Sequence, residues 1–162
     1  MNQKVCSIVG CSNVGKTTLI ERLVDWFKSH GINVGVIKHA SHGFDLVEGK
    51  DSTRFFNAGA QMVWVFSEQK GTMRLDNNNS NDIISILNLE QGNVDLFLLE
   101  GFKTYPFCRV WVRKDMHDGP PEKNSLPTFV VGPFERVKDG PPKISNSAIE
   151  AVAFWTSKTL KI

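Results

Sequence analysis

The chain has 162 residues, of which 41% are hydrophobic and 22% are charged, so its composition is that of a globular protein long enough to bury one core. Its three cysteines form no CxxC pair, which argues against a disulfide framework and against a four-thiolate zinc site. A formal net charge of +2 provides no electrostatic reason to expect nucleic acid or a membrane surface as a partner. We therefore expect one cytoplasmic domain over residues 1–162, without a membrane span.

The first half of the chain alternates short apolar runs with an amphipathic stretch. Residues 5–9 predict a buried strand that ends at Gly10, and the apolar residues of 16–30 recur every three to four positions, as in a helix. Gly31 stands where a left-handed cap ends many helices. The next predicted elements are a strand at 33–38, a helix at 52–59 and a strand at 60–66.

The second half continues this alternation. Residues 94–99 are an almost unbroken apolar run, which is typical of a parallel strand buried on both faces. A last helix is predicted at 147–158, with Ala151, Phe154 and Trp155 facing the core. The other expected elements are a helix capped by Asp82 that ends near Leu89, and strands at 108–112 and 128–131. The pattern predicts an α/β fold of three layers, with helices on both faces of a mostly parallel sheet.

One motif carries specific chemistry. Residues 10–18, GCSNVGKTT, match the phosphate-binding pattern G-x-x-x-x-G-K-[ST] at every fixed position, between a predicted strand and a predicted helix. Backbone N–H groups at the start of that helix are expected to converge on a phosphate. Lys16 is expected to reach the β- and γ-phosphates, and the Thr17 hydroxyl to bind Mg²⁺. The predicted nucleotide-binding residues are Gly10, Cys11, Ser12, Asn13, Val14, Gly15, Lys16, Thr17, Thr18 and, further along the chain, Lys103.

A loop of this kind needs a carboxylate near the metal ion, and Glu100 is the best-placed candidate. It ends the buried apolar run, and Gly101 after it lets the chain pass close to a phosphate. Asp95 is the rival, but it lies at the amino end of the same run, whereas open α/β sheets bind ligands at the carboxyl ends of their strands. We therefore predict that Glu100 and Thr17 both bind the metal ion, and that Glu100 and Lys16 are both catalytic residues.

Polar residues also follow the second predicted strand. Asp45 is a candidate catalytic base, and Asp51 a candidate metal ligand that alternatively caps the next helix. His39 and His42 are three residues apart, which suits a metal site only if the segment is helical, and Gly43 argues against a helix. A role facing the substrate, or a structural role, is the alternative for both histidines.

Together these motifs resemble the MobB family, the molybdopterin-guanine dinucleotide biosynthesis protein B, over about residues 4 to 113. The blocks that carry the resemblance are residues 10–18, Ile37-Lys38-His39 with His42 and Asp45, Gly49-Lys50-Asp51-Ser52 with Ala58-Gly59-Ala60, and Leu99-Glu100-Gly101-Phe102-Lys103. The resemblance implies a P-loop fold of the SIMIBI class, GTP and Mg²⁺ as cofactors, weak GTP hydrolysis and a homodimer. It also implies assistance to a MobA-type nucleotidyltransferase, which attaches GMP to molybdopterin to form the guanine dinucleotide.

In this interpretation Glu100 senses the γ-phosphate, and the segments 39–52 and 102–107 respond as switch elements. A small-molecule kinase with Asp45 as its base is one alternative, although the scattered arginines do not resemble a kinase lid. A nickel-insertion-type metallochaperone GTPase is another, and it would need a metal site made from the two histidines and isolated cysteines. A non-catalytic nucleotide-binding module is a third. The preferred base is left open, because residues 129–134 contain no Asp to pair with guanine and Glu135 is the nearest acid.

Overall fold

The computed structural model describes residues 4–38, 62–66, 71–75, 87, 94–120, 125–138 and 140–162. The chain divides into two compact units, one made of Met1–His39 with Gly92–Ile162 and the other of Ala40–Gln91. The single domain expected over residues 1–162 stays a prediction. Within the described ranges, neither helix has the length and hydropathy needed to cross a bilayer.

The first unit is built on a parallel sheet of five strands, and the second unit contains an antiparallel pair. The described elements are β1 (Val5–Gly10), α1 (Lys16–Ser29), β2 (Val34–Lys38), β3 (Met62–Phe66), β4 (Gly71–Leu75), β5 (Leu96–Glu100), β6 (Cys108–Val112), β7 (Thr128–Val131) and α2 (Asn146–Leu160). The parallel sheet has the order β2-β5-β1-β6-β7, with β1 at its centre, and β3 pairs with β4. Because all five strands are parallel, their carboxyl ends lie along one edge of the sheet.

The predicted α/β class with a mostly parallel sheet is confirmed, and all five strands of the sheet were expected within two residues of their bounds. The strand expected at 60–66 is present as β3, but it belongs to the separate pair, and its partner β4 was not predicted. The sequence of β4, GTMRL, mixes polar and apolar residues, so its pattern does not mark a strand. The helix expected at 52–59 lies outside the described residues. From the helix expected at 82–89 only Leu87 is described, and it is helical and buried.

Both described helices pack on one face of the sheet. Leu19, Leu23 and Phe27 of α1 are fully buried in the same cluster as Ile8 of β1 and Val110 of β6. Burying each such side chain contributes about 1.5–3 kcal/mol, so this face accounts for a large part of the stability of the unit. The cluster thereby holds the first turn of α1 against the carboxyl end of β1.

The end of α1 confirms the left-handed cap expected at Gly31. Gly31 has a φ of 75°, and its N–H donates to the carbonyl of Lys28 at 3.1 Å. The N–H of Ile32 donates to the carbonyl of Phe27 at 3.0 Å. These two bonds form a Schellman motif, which satisfies carbonyls that the helix leaves free and turns the chain toward β2.

The buried face of α2 differs from the prediction. Ala151 and Phe154 are exposed, Phe154 by 69%, and Trp155 is half-buried with its ring centroid 5.6 Å from that of Phe129. The residues that are buried follow the helical spacing i, i+3, i+4, i+7 and are Ile149, Val152, Ala153 and Thr156. The expectation was wrong for Ala151 and Phe154, which lie outside this buried stripe, whereas Trp155 packs against the core as expected.

The chain leaves β1 through a position that admits no side chain. Gly10 is paired with Val112 of β6 and has a φ of 148°. A β-carbon on Gly10 would lie 2.4 Å from the carbonyl oxygen of Val112. Glycine is therefore required here by contact with the neighbouring strand as well as by its dihedral angle.

The face of α2 can be tested with Ile149→Ala and Phe154→Ala. Ile149→Ala should lower the free energy of unfolding by about 2–5 kcal/mol, because it leaves a cavity in the core. Phe154→Ala should change it by no more than about 0.5 kcal/mol, since the ring is exposed. Urea denaturation of both variants measures the difference, and equal losses would contradict the observed orientation of α2.

The contact at Gly10 can be separated from its dihedral angle by comparing Gly10→Ala with Gly31→Ala. A β-carbon on Gly31 meets nothing within 4 Å, so this variant should lose only the roughly 1–2 kcal/mol of a left-handed alanine. Gly10→Ala should lose about 1–3 kcal/mol more, because the strands must move apart. Denaturant titration gives both values, and a smaller loss for Gly10→Ala would show that β6 does not constrain the loop.

Candidate phosphate-binding site

The loop with the phosphate-binding pattern connects the central strand β1 to α1 at the carboxyl edge of the sheet. Val14 is buried in the core cluster and anchors the loop, whereas Cys11 and Ser12 are exposed. Asn13 and Gly15 have φ values of 59° and 98°. Left-handed positions of this kind turn successive backbone N–H groups toward one side, which is the geometry of anion-binding nests.

The two described helices differ at their N-termini. Ser145 caps α2, and its hydroxyl oxygen accepts a hydrogen bond from the N–H of Ala148 at 3.2 Å. In α1 the capping position is Gly15, no side chain caps the first turn, and that turn contains no acidic residue. The partial positive charge at this end of α1 is therefore not balanced by a side chain of its own first turn.

Lys16 lies over this loop. Its ammonium group donates a hydrogen bond to the carbonyl of Cys11, and its side chain is half-buried. Burial is the main cause that lowers the pKa of Lys16, Glu100 acts to raise it, and Lys103 lowers it further. An anion placed on the loop would stabilise the charged form of Lys16, since it would replace the solvation that burial removes.

Glu100, at the carboxyl end of β5, reaches the first turn of α1. The hydroxyl oxygen of Thr17 lies 3.2 Å from each carboxylate oxygen of Glu100 and donates to this carboxylate. The side chain of Glu100 is only 14% exposed. A hydroxyl and a carboxylate are hard oxygen ligands of the type that Mg²⁺ prefers, so this pair of residues fits the metal that the loop pattern implies.

Two further lysines lie near the loop. The Nζ atom of Lys38 lies 3.4 Å from Oε2 of Glu100, and Lys103 is close enough to Lys16 to lower its pKa. In the sequence Lys38 is only part of the Ile37-Lys38-His39 motif, and it is not among the predicted site residues. The signal that identifies it is its position opposite Glu100 in the register of β2 and β5, which requires the strand order.

Arg109 of β6 holds the segment that follows Glu100. Its buried guanidinium donates to the carbonyls of Lys103 and Tyr105, each at 3.3 Å. The ring of Tyr105 contacts that of Phe102 at a centroid distance of 5.6 Å and stacks on that of Phe107 at 6.0 Å. The aromatic segment 102–107 is thus tied to the sheet through an arginine that the sequence presented only as one of several scattered basic residues.

The segment after β7 packs against the other side of the loop. A β-carbon on Gly15 would lie 2.8 Å from Cγ of Pro142 and 3.0 Å from Cδ2 of Phe134. The end of the stretch 129–134, which contains no Asp to pair with guanine, therefore borders the loop. Glu135, the nearest acid, pairs with Lys143 at 3.3 Å.

The sequence suggests isolated cysteines, but the structure brings two of the three together. Cys6 and Cys108 are opposite each other in the register of β1 and β6, and both are buried. The Cys108 thiol donates to the carbonyl of Val5 at 3.4 Å, and the interaction of the two thiols raises the pKa of Cys6 and lowers that of Cys108. In the ranges that the structure describes, no three His, Cys, Asp or Glu side chains are grouped to hold a metal ion.

The remaining predicted site residues are not brought together in the described part of the chain. Asp45, Asp51, His39 and His42 lie outside the described residues, and their roles stay predictions. Asp95 lies just before β5, where its carboxylate accepts a hydrogen bond from the N–H of Asn33 at 2.8 Å. It is therefore at the end of the strand opposite to Glu100, as expected.

Comparison with known proteins identifies similar sequences along most of the chain. A family model described as MobB, molybdopterin guanine dinucleotide synthesis protein B, matches residues 5–131. A Bacillus subtilis protein named "Probable molybdopterin-guanine dinucleotide biosynthesis adapter protein" is 35% identical over 118 residues, which are 70% of this chain and 67% of that protein. The Escherichia coli "Molybdopterin-guanine dinucleotide biosynthesis adapter protein" is 30% identical over 124 residues, 74% of this chain and 71% of that one.

Solved structures extend the likeness into the C-terminal region. A crystal structure titled "molybdopterin-guanine biosynthesis protein B (mobB)" aligns with 98% of this chain and 99% of its own, with a TM-score of 0.63 and 29% identity. That of Bacillus subtilis MobB aligns with 94% of this chain and 97% of its own, with a TM-score of 0.60 and 25% identity. The resemblance expected from the motifs is therefore confirmed. Since the family model covers the phosphate-binding loop, Glu100 and all five strands of the parallel sheet, this chain belongs to the MobB family.

Proposed function

We propose that this protein binds GTP with Mg²⁺ on the loop at residues 10–18, hydrolyses it weakly, and is an adapter in molybdenum cofactor biosynthesis. In that role it assists a MobA-type nucleotidyltransferase in attaching GMP to molybdopterin, which forms molybdopterin guanine dinucleotide. The names of the relatives support the pathway. The observation that carries the nucleotide site is the contact between the Thr17 hydroxyl and both Glu100 oxygens, at 3.2 Å.

Each residue of the proposed site has a separate task. Backbone N–H groups of the loop and the ammonium of Lys16 bind the β- and γ-phosphate oxygens. Thr17 and Glu100 hold Mg²⁺, which neutralises charge on these phosphates when it is bound. Asp51 and Asp45, which follow β2 in the sequence, complete the proposal as a further metal ligand and as a catalytic base.

The charges at the loop support an anionic ligand. Lys38 and Lys103 both act on Lys16 as like charges and Glu100 acts on it as an opposite charge, so these described side chains leave positive charge in excess. A polyphosphate carries enough negative charge to balance these lysines together with a divalent cation. Mutual repulsion contributes to the lowered pKa of Lys16, and phosphate binding relieves it.

Weak hydrolysis agrees with the positions of the charged groups near the loop. The Arg109 guanidinium is buried and donates to backbone carbonyls, so it is not free to stabilise a transferring phosphoryl group. The Glu100 carboxylate is engaged by Thr17 and Lys38. Phosphoryl transfer depends on such positioned charges, so the engagement of Arg109 and Glu100 by other groups supports slow turnover.

Family resemblance also supports the proposal that the functional unit is a homodimer of single-domain subunits. Sedimentation equilibrium of the whole chain would measure its mass directly.

Lys16→Ala should abolish binding of Mg²⁺-GTP while leaving the fold intact, because it removes the cation on the loop without disturbing the core. Lys28→Ala is the matched control, since Lys28 is exposed in the last turn of α1. Titration calorimetry measures both affinities, and circular dichroism checks the fold. Unchanged affinity in Lys16→Ala would contradict the role assigned to this residue.

Thr17→Val should lower GTP affinity about 10- to 100-fold in the presence of Mg²⁺, which corresponds to the roughly 1.5–3 kcal/mol of a hydrogen bond to a charged group. Thr17→Ser keeps the hydroxyl and should stay close to the unmodified protein. Both variants are compared by calorimetry with Mg²⁺ and with EDTA. A loss of the same size in EDTA would argue against a metal-related role for Thr17.

Single-turnover incubation with labelled GTP or ATP, with and without candidate acceptors, distinguishes the kinase alternative from the proposed adapter. Slow release of phosphate to water supports the adapter, and labelled acceptor supports a kinase. The same experiment measures the base preference.

A further inference from the structure

We propose that Lys38 is a positioning residue of the nucleotide site, whose ammonium group acts as the internal counter-ion of Glu100 and competes with Mg²⁺ for that carboxylate. This inference rests on the proposed nucleotide-binding function and adds to it a residue that controls how strongly binding depends on magnesium.

The register of the sheet brings Lys38 and Glu100 together. They are the last residues of β2 and β5, and they are directly opposite each other in this parallel pair. Opposite residues of neighbouring strands have their side chains on the same face of the sheet. The ion pair of 3.4 Å between Nζ and Oε2 is therefore built into the pairing of the two strands.

The two side chains differ in exposure. Glu100 is 14% exposed, whereas Lys38 is 58% exposed. The hydroxyl of Thr17 donates to this mostly buried carboxylate, and Lys38 forms an ion pair with it. The exposed stem of Lys38 can leave this position without opening the core, because it lies at the surface.

The contacts of Oε2 make Lys38 and a metal ion competing partners of the Glu100 carboxylate. Oε2 contacts the Thr17 hydroxyl at 3.2 Å and Lys38 at 3.4 Å. A divalent cation held by Thr17 and Glu100 needs the same oxygens, and its charge repels an ammonium group on them. A metal ion on this carboxylate therefore weakens its attraction for Lys38, whereas without a metal the ammonium of Lys38 offsets the negative charge that Glu100 presents to a phosphate.

If the ion pair between Lys38 and Glu100 were only structural, the effect of removing it would differ from the effect expected for competition with Mg²⁺. Loss of such a pair would change stability slightly, and it would alter nucleotide affinity by the same factor at every Mg²⁺ concentration. Competition between Lys38 and Mg²⁺ instead predicts opposite changes in the response to Mg²⁺ and in the nucleotide affinity without Mg²⁺. Removing the ammonium of Lys38 should strengthen the response to Mg²⁺ and weaken nucleotide binding where Mg²⁺ is absent.

The experiment is a titration of the full-length protein with a fluorescent GTP analogue over a range of free Mg²⁺ concentrations and in EDTA. In Lys38→Met, which keeps the apolar stem, the Mg²⁺ concentration for half-maximal effect should fall about 2- to 5-fold, the size expected for an exposed ion pair. Affinity in EDTA should fall by a similar factor. Thermal unfolding without ligand checks that the variant is folded.

Three further variants complete the design. Lys38→Arg keeps the charge and should restore the magnesium dependence of the unmodified protein to within about 2-fold, even if Lys38→Met is unstable. Lys28→Met should change nothing, because Lys28 lies at the other end of α1. Lys103→Met should weaken binding at every Mg²⁺ concentration without moving the half-maximal point.

The two proposals fail in different ways. An unchanged or higher half-maximal Mg²⁺ concentration in Lys38→Met, with normal nucleotide binding by the unmodified protein, overturns the role of Lys38 alone. Absence of magnesium-dependent nucleotide binding in the unmodified protein overturns the proposed function and this inference together.

Discussion

The site depends on the contact between Glu100 and Thr17, which are 83 residues apart in sequence. That contact exists because β5 lies between β2 and β1, which puts Glu100 in register with Ile8 on one side and Lys38 on the other. From this position Glu100 reaches the first turn of α1. The loop, the carboxylate and the lysines around them are therefore set by the strand order of the sheet.

Sequence reasoning was accurate where a feature is local. The loop pattern, the periodicity of α1, the cap at Gly31 and the run that ends in Glu100 each lie within a short stretch, and each was predicted. It failed where a feature depends on pairing or packing, as for Lys38 and Arg109, whose partners are set by strand neighbours. Two of the three residues expected on the inner face of α2 are exposed, because the buried stripe follows the helical spacing of Ile149, Val152 and Thr156 instead. The acidic and histidine residues after β2 lie outside the described residues, so the roles assigned to them rest on the sequence alone.

This arrangement of charge lowers the stability of the protein without ligand. Burial makes the ammonium of Lys16 less stable than it would be in water, and nearby lysines add to the effect. The positive end of α1 adds to the same field without a capping side chain. A ligand that neutralises these groups stabilises the folded state as it binds, so affinity and stability are linked.

The position of β5 also has a consequence for biosynthesis of the chain. β1, the loop and α1 are complete once the first thirty or so residues have been made, but β5 enters the sheet between strands that precede it. Until Glu100 has left the ribosome, the nascent chain presents the loop with its lysine and threonine and without the carboxylate. β1 and β2 are not neighbours in the finished sheet, so the N-terminal segment cannot form its final sheet ahead of the middle of the chain.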